Sequence, residues 1–351
     1  MYIILAILIF GVLIAVHELG HFLAAKLSGV RVLEFALGMG PVLLKKQGRE
    51  TLYSLRLLPF GGFCAMEGEE EASDDARAFT NQSAWKRLFI LVAGAAANFF
   101  IGFLIVLALF STQESFMKPV ITGFAEGCPY VGEAHFLEGD EFYRINGHRI
   151  YTPSDASAYL HASDGSVDIV LIRDGEKLRM EDYPLQLVPF DDGQGGTTMR
   201  YGFTIGEAES GLWATVKHSW YCTMDFVRMV WESLAALISG AVGVQELAGP
   251  VGIVDLMNDV GQSAATVGTA LYDIFYLFAF VAVNLAVMNL LPIPALDGGR
   301  IFFLVITCII EKITRRRLDP KYEGYINAAG FALLMGLMVF VLFNDILRIF
   351  R

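Results

Sequence analysis

Four stretches of the chain are apolar for long enough to cross a bilayer, which takes about 20 residues of helix. They run from Tyr2 to Leu27, Leu88 to Phe110, Leu271 to Leu291 and Tyr325 to Leu347. A shorter apolar run, Ile301 to Ile310, follows the third after Pro292-Ile293-Pro294-Ala295-Leu296-Asp297-Gly298-Gly299. The pattern predicts a polytopic α-helical membrane protein with about four transmembrane helices, its core in two halves, residues 1–110 and 271–351. Between the first two spans, Val42 to Lys46 and Thr51 to Leu57 are β-prone runs around Gln47-Gly48-Arg49-Glu50, which predicts a membrane-associated β-hairpin. Its edge is a place where an extended backbone can pair.

The long middle segment has a different texture. Residues 118–188 alternate short apolar runs with Gly and Asp turns, as in a small β-rich domain. Residues 205–262 mix apolar and polar positions and include Trp213, Trp220, Tyr221 and Trp231, the pattern of an interfacial helix. Gly249-Pro250 is expected to mark a helix end. Glu67 to Asp75 is expected to be a solvated turn or helix start.

Composition supports the membrane reading: of 351 residues, 55% are hydrophobic, and the mean hydropathy is +0.51. A net charge of −11 argues against a nucleic-acid partner. Cys64, Cys128, Cys222 and Cys308 have neither zinc-site nor disulfide-framework spacing. The first apolar run lacks a basic leader and a cleavage site, so it is expected to be a retained span. Lys and Arg concentrate between the first two spans, and again at Lys312, Arg315, Arg316, Arg317 and Lys321. Cytoplasmic loops carry that excess, so both termini and the middle segment are expected outside.

Chemistry enters in the first span, at His17-Glu18-Leu19-Gly20-His21. Positions four apart share a helix face, so the two imidazoles can hold one metal while Glu18 serves as a base. Ionisable groups at mid-bilayer cost about 2.5–3.5 kcal/mol each, so their presence there calls for a function. Catalytic zinc has three protein ligands and an open position. His135, His148, His161 and His218 all lie in the outside segment, so the third ligand is expected to be a carboxylate: Glu34, Asp273, Glu311, Asp297 or Asp345. Asp297 combines the right side, the right depth and a helix break that can bring it inward; Glu311 is its nearest rival. Asn289, before the break, is expected to hold a substrate backbone or to satisfy a freed carbonyl. Asn98 and Asn284 are expected to be structural.

His17-Glu18-Leu19-Gly20-His21 and the Asn289 to Gly298 stretch together resemble the site-2 protease family of intramembrane zinc metalloproteases, most nearly the bacterial regulator of sigma-E protease type. Glu34-Phe35 with Gly38-Met39-Gly40-Pro41 adds to the likeness, as does Leu137 to Ile150, which resembles a PDZ core followed by a helix at Ser154 to Leu160 and a strand at Val167 to Arg173. The resemblance implies zinc on His17, His21 and Asp297, Glu18 as base, and Asn289 holding substrate. It implies a multi-pass protein of the bacterial inner (cytoplasmic) membrane, with its active site toward the cytoplasm. Its partners would be the lipid bilayer and single-span membrane proteins, anti-sigma factors or remnant signal peptides, cut in regulated intramembrane proteolysis. Two departures stand out: Ala95 occupies a position often held by proline, and one PDZ-like domain is visible where some relatives carry two. A membrane metal transporter or sensor using the same ligands, or an inactive PDZ scaffold, are the alternatives.

Overall fold

An apolar segment in lipid must satisfy its own backbone hydrogen bonds, which a helix does within one stretch. The structure, a computed structural model, describes residues 2–69, 73–113, 115–191, 196–209, 211–243, 249–314 and 321–349. Its elements begin with α1 (Tyr2–Ser28), β1 (Val32–Gln47), β2 (Leu52–Met66), a 3-10 turn (Phe79–Asn81) and α2 (Ala84–Phe110). Then come β3 (Ser115–Phe124), β4 (Glu141–Ile145), β5 (His148–Arg149), α3 (Pro153–His161), β6 (Ser166–Arg173), β7 (Glu176–Pro184), β8 (Val188–Asp191), β9 (Thr197–Arg200) and β10 (Phe203–Glu209). The chain ends with α4 (Leu212–Ile238), α5 (Pro250–Ser263), α6 (Val267–Asn289), α7 (Asp297–Thr314) and α8 (Lys321–Ile349). Among the described residues, four helices are long and apolar enough to cross a membrane: α1, α2, α6 and the Gly324–Asp345 part of α8. Arg315, Arg316 and Arg317 of the second basic patch lie outside the described residues. All four cysteines are free thiols.

The chain divides into two units, one of residues 1–106 and 226–351, the other of residues 107–225. In the first, Ala6, Ile9 and Leu13 of α1 pack with Met257 of α5 and Ile274, Phe278 and Ala282 of α6. Small residues let α1 and α2 approach closely: a Cβ on Gly20 would lie 2.4 Å from the Ala93 carbonyl oxygen. Helix α1 stops in a Schellman turn, with Gly29 at φ 79° and the N–H groups of Gly29 and Val30 donating to Lys26 O and Ala25 O.

The β-hairpin turns over residues 48–51 and is longer than the sequence expectation at both ends. It also doubles back. Glu34 to Leu37 is registered with Leu52 to Leu55 on one side and with Gly62 to Ala65 on the other. The fold-back is pinned at the tip, where Lys26 Nζ donates to Glu50 (2.6 Å), Arg77 donates to Glu50 (2.9 Å) and the Thr51 hydroxyl donates to Val32 O (2.8 Å). As a result, among the described residues Gly62 to Met66 is paired with the Val32 to Leu37 stretch alone and forms an edge.

In the second unit a sheet of order β10-β3-β4-β6-β7, with β5 beside β4, packs α3 on one face. Inward residues alternate along β6, where Val167, Ile169 and Leu171 are buried. Asn146-Gly147, at φ 48° and 80°, makes the tight turn between β4 and β5. Buried Asp140 accepts from the Leu137 N–H and pairs with the Arg173 guanidinium at 2.7 and 2.8 Å. Helix α3 and strand β6 stand where the sequence places a helix and a strand. Strand β10, beyond residue 188, completes the sheet.

Pro250 opens α5, where the sequence expectation was a helix end; α4 stops at Ile238, and residues 244–248 lie outside the described residues. Proline suits a first helical position because its missing N–H would be unpaired there anyway. Buried Asp345 of α8 accepts from the N–H groups of Gly249 (3.2 Å) and Gly252 (2.9 Å) and so caps α5 from a distance.

His218 on α4 stacks on Phe116 of β3, with ring centroids 5.1 Å apart. Burial, with Lys118 and Lys217 nearby, lowers its pKa to about 4. The unfolded imidazole, at about 6.5, then binds more protons than the folded one between those values, so this contribution is full above about 6.5 and is lost as pH falls toward 4. Thermal melts at pH 7 and pH 5 are expected to show a lower Tm at pH 5, and His218→Phe is expected to reduce that difference; an equal pH dependence in the variant contradicts the assignment.

Candidate metal centre

His17 and His21 lie one turn apart on α1, and the break between α6 and α7 brings Asp297 to them. Helix α6 closes at Leu290, Pro292 supplies no N–H, and Ala295 sits at φ 73°, a left-handed conformation that a non-glycine residue adopts only under constraint. Asp297 is the first residue of α7. The two glycines after it let the new helix press against the broken backbone. A Cβ on Gly298 would lie 2.3 Å from Leu290 O, and one on Gly299 2.2 Å from Ile293 O.

The three donors form a near-equilateral triangle. His17 Nε2 is 3.2 Å from His21 Nε2 and 3.2 Å from Asp297 Oδ2, and His21 Nε2 is 3.3 Å from Asp297 Oδ2. Asp297 Oδ2 is buried and accepts no hydrogen bond among the described residues. Zinc bonds to nitrogen and oxygen of about 2.0–2.2 Å imply about 3.3–3.5 Å between neighbouring ligands of a tetrahedron. The triangle fits one face of such a tetrahedron. His21 is fixed from behind, its Nδ1 donating to Ile90 O at 2.8 Å, which leaves the Nε2 lone pair for a ligand. Gly94 on α2 makes the space: a Cβ there would meet His21 Nε2 at 2.3 Å.

The triangle opens into a cavity of about 770 Å³ whose wall includes Glu18, Phe63, Cys64, Ala65, Met66, Asn289 and Arg300. The edge stretch of the hairpin therefore borders the site, and a Cβ on Gly62 would lie 3.2 Å from Glu18 Cγ. Residues 67–69 form a turn, and Glu67, Glu69 and Ser73 also line the cavity; residues 70–72 of that stretch lie outside the described residues. Glu69 accepts from Arg300 of α7 at 2.5 Å and from the Met66 N–H at 3.1 Å, tying the end of the edge stretch to the helix that begins with Asp297.

The other carboxylates have different occupations. Glu34 accepts from Ser54 (2.6 Å) and Arg56 (2.8 Å) on the hairpin. Asp345 caps α5, Asp273 lines a separate cavity, and Glu311 lies near the opposite end of α7. Asn98 is buried on α2 one turn from Gly94, and its Oδ1 has no hydrogen-bond partner among the described residues. Ile90, Gly94, Glu69 and Arg300 were not singled out from the sequence. Only Gly94, in a run of small residues, carried a signal, and that signal reads equally as helix packing.

The sequence profile of Peptidase family M50 matches residues 5–337 of the chain. A Clostridium perfringens protein provisionally named a zinc metalloprotease is 36% identical over 99% of this chain and 99% of its own. The regulator of sigma-W protease RasP of Bacillus subtilis is 28% identical, with 98% of each chain covered, and zinc metalloprotease RasP of Bacillus licheniformis matches at the same identity and coverage. The chain belongs to Peptidase family M50, the site-2 protease family of metalloproteases that its two motifs resemble.

Proposed function

We propose that the chain is a zinc metalloendopeptidase that hydrolyses peptide bonds within the membrane spans of single-span proteins. One observation carries this reading: donors from opposite ends of the polypeptide, His17, His21 and Asp297, meet within 3.3 Å among apolar helices. His17, His21 and Asp297 would hold a zinc ion, which when bound would supply a Lewis acid to polarise a carbonyl and acidify water. Glu18, on the cavity wall, accepts a proton from the attacking water. The water oxygen bonds to the carbonyl carbon, the C–N bond breaks, and Glu18 returns the proton to the leaving amine.

A helical substrate buries its carbonyls in hydrogen bonds and must unwind before attack. The Gly62 to Met66 edge supports that step, because among the described residues no second strand pairs with it and Phe63 to Met66 border the cavity. A substrate strand laid on it is held by main-chain hydrogen bonds, which are indifferent to sequence. The relative named for sigma-W regulation favours substrates of the anti-sigma factor class, with remnant signal peptides as the other class.

The distribution of Lys and Arg supports a topology with both termini and residues 111 to about 270 outside and the metal centre toward the cytoplasm, and the bacterial relatives favour the cytoplasmic membrane. In this reading residues 118–188 form a PDZ-like domain that screens substrates. An inactive scaffold gives no reason for the donor triangle.

Glu18→Gln is expected to keep one zinc per chain and to lower cleavage of a purified single-span substrate by about 10²–10⁴-fold. Retained turnover removes Glu18 as the base, and cleavage that persists with a zinc chelator present removes the metal from the mechanism. Gly94→Ala is expected to push the His21 ring aside and cut zinc content well below one per chain, as read by elemental analysis; full zinc occupancy contradicts the cradle assigned to Gly94.

A further inference from the structure

The two histidines of the triangle both offer Nε2, so Nδ1 must carry the proton in each neutral ring. An N–H turned away from water needs an acceptor; His21 is buried and His17 half-buried on the cavity wall. His21 has one in Ile90 O, at 2.8 Å. For His17, among the described residues, the side-chain amide of Asn289 lies at Nδ1, its Nδ2 drawn 3.5 Å away. An amide can present either its oxygen or its nitrogen after a half-turn about its last torsion. With the nitrogen inward, an N–H would face an N–H once His17 serves as a ligand through Nε2. With the oxygen inward, the amide accepts the His17 proton and holds the ring.

We infer that Asn289 is a positioning residue for the metal centre, its side-chain oxygen accepting the Nδ1 proton of His17 as the Ile90 carbonyl does for His21. This rests on the proposed zinc site and adds to it the outer support of the first ligand. Its place in the chain gives the reason. Asn289 is the last residue of α6 and Asp297 the first of α7, so the Pro292-Ile293-Pro294 break sets one ligand and the support of another. Loss of such a support weakens metal binding by about 10–100-fold in known metal sites.

The test is zinc affinity of the full-length purified protein, measured by competition with a chromophoric chelator, together with the visible spectrum of the cobalt(II)-substituted protein. Asn289→Leu keeps the size and removes the acceptor; Asn289→Asp restores an acceptor. The expected result is about 10–100-fold weaker zinc binding and an altered cobalt spectrum for Asn289→Leu, with wild-type or tighter binding for Asn289→Asp. Two results overturn the inference: both variants binding zinc like the wild type, with only KM for a substrate raised, as a substrate-holding amide predicts, or both losing zinc alike. Absence of zinc binding by the wild-type protein instead overturns the proposed function on which the inference stands.

Discussion

Two imidazoles and a carboxylate sit within 3.3 Å of one another in a bundle of apolar helices, and the rest of the first unit is arranged around that convergence. An aspartate at the centre of a membrane helix costs about 2.5–3.5 kcal/mol on insertion scales. Three lone pairs aimed at one point repel one another unless a cation lies between them. On the proposed reading zinc offsets both costs, so the ion contributes to folding as well as to catalysis.

Backbone chemistry builds the approach. Helix α1 can fix two ligands at helical spacing, but a continuous helix through residues 289–297 could not turn its carboxylate toward them. Two prolines interrupt the hydrogen-bond ladder, Ala295 takes a left-handed conformation, and Gly298 and Gly299 allow α7 to restart against the backbone it has just left. Non-helical backbone at membrane depth is tolerated where it lines a cavity, and here it does: Ala295 and Leu296 are part of the cavity wall. The hairpin edge closes another side, and the Glu69–Arg300 pair ties it to the helix that begins with Asp297.

Much of this was legible in the sequence because the signals are strong and local. Runs of apolar residues gave the spans, the four-residue spacing put His17 and His21 on one face, and depth and side left Asp297 as the favoured third donor. What escaped were features made by contacts distant in sequence. The hairpin doubles back because Lys26 and Arg77 hold Glu50, and neither run of β-prone residues records that. Strand β10 joins a sheet whose other strands end at Pro184. That Gly249-Pro250 starts α5 was not legible, because the carboxylate that caps it, Asp345, lies far away on α8. The support of His21 is a backbone carbonyl, which has no residue signature at all.

The central claim is that both ends of the polypeptide ligate one zinc. X-ray absorption at the zinc edge of the purified, zinc-loaded protein reads this directly. The account predicts two imidazole nitrogens and a carboxylate oxygen at about 2.0–2.2 Å, and a changed, weakly held shell in Asp297→Ala. An identical shell and unchanged zinc affinity after Asp297→Ala contradict it.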